Sequence, residues 1–165
     1  MRALLTLAVC AGFVGSAFAE TDQKRGSVTD LPIPRFVSTK SAEANARRGP
    51  AMDQKVDWVF VRRNLPLKVT DEYGHWRRVE DNEGKGGWVH YSLLSGSRNV
   101  LIQSEEVVLR NAASQDATPI ARAEAGVIAA LDRCETNWCR LEVNGHAGWA
   151  AKSALWGVVL EEVSN

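Results

Sequence analysis

Apolar and polar residues alternate along short stretches of this chain, and turn-forming residues separate the stretches. Leu65-Pro66-Leu67-Lys68-Val69 alternates, with Pro66 marking a strand start or an edge. Tyr73-Gly74-His75 reads as a turn and Trp76 to Asp81 as a strand. Asn82 to Gly87 reads as a second turn, rich in residues that accept positive φ, followed by a strand from Trp88 to His90. Tyr91-Ser92-Leu93-Leu94 reads as a single helical turn. Val127 to Asp132, Trp138 to Val143 and Trp149 to Ala151 repeat the pattern, with Asn144-Gly145 as a tight turn. No stretch of ten or more residues carries the period of an amphipathic helix. The expected fold class is all-β, as small barrels or sandwiches built from short strands.

The repetition extends to individual residues. At one constant offset Trp76 matches Trp138, Arg78 matches Arg140, Val79 matches Leu141 and Glu80 matches Glu142. One residue is then lost from the second copy, after which Gly87-Trp88 matches Gly148-Trp149, Ser92 matches Ser153 and Leu94 matches Leu155. The domains expected are 36–98 and 99–165, preceded by an extended N-terminal linker over 20–35 containing Leu31-Pro32-Ile33-Pro34.

Residues 1–19 read as a secretory signal peptide. Arg2 gives a positive start, Ala3 to Val14 is apolar, and Ala17-Phe18-Ala19 is an A-x-A cleavage site. The run is shorter than the roughly 20 apolar residues a membrane span needs, so no membrane insertion is expected after cleavage. The alternative of lipid attachment at Cys10 is disfavoured by Val9, where a small residue is wanted. The expected location is periplasmic or secreted. There an even pair of cysteines, Cys134 and Cys139, reads as a disulfide across the mouth of a hairpin. A metal site using the pair with His146 lacks a fourth ligand, so no metal and no cofactor is expected.

The 165 residues carry 20 basic and 20 acidic side chains, and this balance disfavours nucleic acid as a partner. The neutrality conceals a split: residues 36–98 carry 11 basic and 8 acidic side chains, and residues 99–165 carry 5 and 9. Two domains facing each other would fit that split, as would a basic face on the first for carboxylates of a partner. No catalytic residues are expected. His75, His90 and His146 have no nucleophile in a recognisable local context, and no H-E-x-x-H, G-x-S-x-G or phosphate loop is present.

Six tryptophans against two tyrosines is the unusual count. On strict alternation Trp76, Arg78 and Glu80 share one face and Val79 takes the other, with Trp138, Arg140 and Glu142 against Leu141 in the second copy. Val79 and Leu141 are thus the expected core residues. Trp76 and Trp138 would lie on the less buried face, covering an open barrel end, packing between domains, or lining a ligand groove. Trp58 lies in Val56-Asp57-Trp58-Val59-Phe60, which the second copy lacks, and it joins Tyr91, Trp76, Arg78 and Trp138 as a candidate ligand-binding residue. Trp156 is expected to dock the C-terminal strand.

The motifs Ala44-Asn45-Ala46-Arg47-Arg48-Gly49-Pro50, Trp76-Arg77-Arg78-Val79, Gly87-Trp88-Val89 and Ser92-Leu93-Leu94 resemble those of the bacterial SH3 (SH3b) domain, here in tandem. The second copy departs from the pattern with Asn111-Ala112-Ala113 in place of Gly-Pro and Ala150 in the last strand. The resemblance implies two small SH3-like barrels and a non-catalytic binding or scaffolding role at the cell envelope. Its implied partners are peptidoglycan peptide or an extended segment of an envelope protein. Alternatives are a purely structural adaptor in the periplasm and an accessory subunit of a cell-wall hydrolase.

Overall fold

A computed structural model describes residues 23–159. The expected signal peptide lies outside the described residues. The first repeat comprises β1 (Arg35–Thr39), β2 (Ala44–Arg47), β3 (Val56–Phe60), β4 (Pro66–Tyr73), β5 (Trp76–Glu80), β6 (Gly86–His90) and β7 (Leu94–Ser95). The second comprises β8 (Asn99–Ile102), β9 (Glu106–Arg110), β10 (Pro119–Glu124), β11 (Ile128–Cys134), β12 (Trp138–Val143), β13 (His146–Ala151) and β14 (Leu155–Trp156). A single 3₁₀ turn precedes the last strand of each, Tyr91–Leu93 and Lys152–Ala154. The strand orders, β3-β2-β6-β5-β4-β1-β7 and β10-β9-β13-β12-β11-β8-β14, are the same topology twice. The fold is all-β and repeated, as the alternation and the internal repeat implied, and its two units are SH3-like, as the resemblance implied.

Closed barrels are not formed. Each ladder has two free ends, β3 and β7 in the first repeat and β10 and β14 in the second. The two-residue β7 is occupied by Ser38 and Thr39 of β1, leaving too short a strand to meet β3. Asn144 and Gly145 have φ of 50° and 82°, the two positive values of a type I′ turn, and they join Val143 to His146.

Alternation places Leu67, Val69, Val79 and Val89 in one core and Ile102, Leu109, Leu141 and Ala150 in the other. Val79 is 2% and Leu141 0% exposed, as their parity predicts. Each such Val, Leu or Ile side chain contributes about 1.5–3 kcal/mol on burial. A bulge then breaks the alternation at the same place in both repeats, between Val69 and Asp71 and between Leu131 and Arg133. The extra residue shifts the inward parity by one. Glu72 turns inward in β4 and Cys134 in β11, while Asp71 and Arg133 do not.

The expected extended linker is instead folded back on itself. Gly26 N–H donates to Leu31 O at 2.8 Å, Ile33 N–H donates to Lys24 O at 2.8 Å, and Arg25 bridges Pro32. The cause is the inward Glu72. Its carboxylate accepts from Val28 N–H (3.1 Å), Thr29 N–H (2.9 Å) and Thr29 Oγ1 (2.7 Å), and Arg35 Nη2 lies 2.6 Å away. A Cβ at Gly26 would collide with this carboxylate.

The two repeats touch through aromatic, aliphatic and hydrogen-bonded contacts. The Trp156 ring packs edge-on against Phe36 at 5.3 Å, and Lys68 Nζ lies 5.4 Å above it. Asn99 Nδ2 donates to Ser38 Oγ at 2.9 Å, Arg62 Nη2 donates to Gly126 O at 2.8 Å, and Ile128 packs onto the first core. Trp156 therefore docks a repeat as well as a strand. The ion pairs Arg48–Asp57, Lys68–Glu80, Arg122–Glu106 and Arg140–Asp132 each stay within one repeat.

Candidate functional site: paired grooves over Trp76 and Trp138

Trp76 begins β5 directly opposite His90, which ends β6. The residue after His90 enters the 3₁₀ turn, which His90 itself caps: Nδ1 accepts from Ser92 N–H at 3.4 Å and lies 2.8 Å from Ser92 Oγ. These elements and the β2–β3 loop enclose a groove of about 380 Å³ lined by Asn45, Arg47, Met52, Trp76, His90, Ser92 and Leu93. Arg47 fixes the loop wall by donating from Nη1 to Gln54 O at 2.7 Å. Arg48 closes the base of the same loop with a bidentate pair to Asp57, both contacts 3.0 Å. That hydrogen bond holds the Asp57 carboxyl below its ordinary range.

Trp76 was expected on the less buried face, yet it is only 8% exposed. The His90 ring stands perpendicular to it at 5.4 Å, and the loop carrying Met52 supplies the other wall. What remains open is the rim. His75, His90 and Tyr91 form a ring cluster with centroids 5.0–5.9 Å apart, and Met52 and Tyr91 are 70% and 50% exposed. The groove therefore offers an apolar floor, an aromatic lip and one guanidinium.

The second repeat holds the same groove with different walls. It is about 460 Å³ and lined by Gln115, Thr136, Asn137, Trp138, Ala151, Lys152 and Ser153. Trp138 pairs with Ala151 as Trp76 pairs with His90, and Arg110 Nη1 donates to Ala117 O at 2.7 Å as Arg47 does to Gln54. Asn137 and Lys152 stand where the first groove has His75 and Tyr91, so the aromatic lip is lost. A larger hollow of about 850 Å³ beside Ser104, Glu105, Glu106, Glu124 and Ala125 presents carboxylates and no aromatic surface.

Of the sequence candidates, Trp76 and Trp138 are groove floors and Tyr91 is on the lip. Trp58 lies on β3 and Arg78 mid-way along β5, both exposed and neither lining a groove. Asn45, Arg47, Met52, His90 and Leu93 were missed. Met52, a large apolar residue two positions after Gly49-Pro50 in a turn-rich stretch, was the available signal. Cys134 and Cys139 face each other across β11 and β12 and are disulfide-bonded, so neither sulfur is left as a thiolate for a metal.

Residues 40–96 and 103–157 each match the bacterial SH3 domain family, and the chain belongs to that family. No curated protein matches the chain. Two solved structures from Trichomonas vaginalis are similar to it. NlpC2 is 12% identical at a TM-score of 0.35, over 74% of this chain and 48% of that one. NlpC1 is 10% identical at a TM-score of 0.35, over 79% and 48%. The chain spans about half the length of either. Among the described residues no helix is long and apolar enough to cross a membrane.

Proposed function

We propose that this is a non-catalytic binding or scaffolding protein of the cell envelope, in which the first repeat holds a peptidoglycan peptide or an extended protein segment. The observation that carries the reading is the groove over Trp76, with its apolar floor, exposed Met52 and Tyr91, and the adjacent Arg47. A shallow apolar trough with an aromatic lip suits an extended chain, which presents one side chain to the floor and its backbone to the polar edge. Trp and Tyr bury large area at low rotamer cost. The basic excess of residues 36–98 favours a carboxylate-bearing ligand. The disulfide fits a protein exported to an oxidising compartment.

Sedimentation with purified sacculi tests this. The wild type should co-sediment, and Met52→Asp or Tyr91→Ala should weaken binding about tenfold without lowering the melting temperature. Absence of binding to sacculi overturns peptidoglycan as the ligand, and unchanged binding by both variants overturns the groove.

A further inference from the structure

The two grooves differ at the positions that cover their tryptophans. Gln115 stands in the place of Met52, and Ala151 faces Trp138 where His90 faces Trp76. The His90 ring covers Trp76 edge-on and leaves it 8% exposed. Alanine has no ring to do this. Trp138 is half-buried, and among the described residues no other ring packs on it. A smaller hollow of about 190 Å³, reaching Glu106 and Arg110, adjoins the second groove. Gln115, Trp138 and Ala151 line both, so one indole floors a trough of two compartments.

The rim of the trough is polar and uncharged. Gln115 and Asn137 bring amides to it, and Thr136 and Ser153 bring hydroxyls. All four residues are exposed, and among the described residues none has its side chain in a hydrogen bond within the protein. The nearby charges are turned elsewhere: Glu106 pairs with Arg122, Arg110 donates to Ala117 O, and Lys152 is buried. An amide sets a donor beside an acceptor, and a hydroxyl is both at once. Vicinal hydroxyls of a sugar ring match such groups, while the flat C–H face of the ring matches an indole. An extended peptide would gain from an aromatic lip and a thioether, and this groove has neither.

We propose that the second groove binds an uncharged saccharide chain, with one pyranose ring stacked on Trp138 and the next reaching into the smaller hollow. Gln115, which lines both compartments, contacts both rings. The site is separate from the first groove and does not depend on what that groove binds. So shallow a trough gives a Kd of about 1 mM.

An NMR titration that follows the tryptophan indole N–H signals, with chitotetraose and with maltotetraose to about 10 mM, tests this. At least one of the two should shift the Trp138 signal. Gln115→Ala and Asn137→Ala, both at exposed positions, should each weaken binding about fivefold. Ala151→His returns the ring that covers Trp76 in the first repeat and should abolish the shift at an unchanged melting temperature. A Trp138 signal that neither saccharide moves overturns the proposal. So does a shift that survives Ala151→His or both amide substitutions together, or one that tetraalanine produces equally. The readout is confined to Trp138, so a negative result here leaves the sacculus assay of the first groove standing.

Discussion

Glu72 faces Arg77 across the β4–β5 hairpin, with Arg77 Nε 3.4 Å from Glu72 Oε1. The second repeat fills that slot with Cys134 opposite Cys139, joined as a disulfide. An ion pair and a covalent bond thus do one job, closing the mouth of a hairpin whose far strand starts with the groove tryptophan. The ionic version does more. Glu72 also gathers Arg35, Val28 and Thr29, and so ties the N-terminal segment to the first repeat.

Removing Glu72 should leave Arg35 and Arg77, with side chains only 18% and 11% exposed, without their carboxylate. Breaking one side of a buried pair costs about 3–5 kcal/mol. Glu72→Ala should lower the denaturation midpoint accordingly and expose residues 23–34 to proteolysis, which limited digestion would detect. Glu72→Gln should cost less, since its amide still accepts from Thr29.

The same carboxyl predicts an acid limb. Burial alone would raise its pKa, but hydrogen bonds from the Thr29 hydroxyl and N–H, Arg35 and Val28 outweigh this and hold it at about 2, against 4.5. A depressed pKa stabilises the fold above the unfolded value, and the effect is lost as pH falls from about 4.5 toward 2. The loss amounts to about 3 kcal/mol. Urea denaturation at pH 7 and pH 2.5 should show it for the wild type, with a flatter dependence in Glu72→Gln.

The disulfide closes a short loop and should contribute about 2 kcal/mol. Cys134→Ser with Cys139→Ser should reduce stability by that amount and loosen the Thr136–Asn137 wall of the second groove. Mass spectrometry of the unreduced digest should recover the two cysteine peptides linked, and finding them separate would refute the bond.

Trp156→Ala should weaken the contact between the repeats more than either core. It removes the ring on Phe36 and Lys68, a partly exposed site, for about 2 kcal/mol. Calorimetry should show one transition in the wild type and two in the variant.

The periodicity of the chain decided the strands, the turns and the tandem repeat. Alternation alone assigned Val79 and Leu141 to the cores, and the Asn144-Gly145 pair fixed its hairpin, because both signals are local. The cysteine pair was legible for the same reason. Parity failed one residue beyond the bulges at Val69 and Leu131, and with it went the inward Glu72 and the folded N-terminal segment. An inserted residue leaves no mark in composition, and its effect appears only when the opposite strand is in place. The groove was half legible: its tryptophans stood out, but Asn45 and Met52 meet His90 and Leu93 from two stretches far apart in sequence. Which aromatics became floor, lip, interface or bare edge was settled by which strand ended each sheet, a property of long-range pairing that no local window contains.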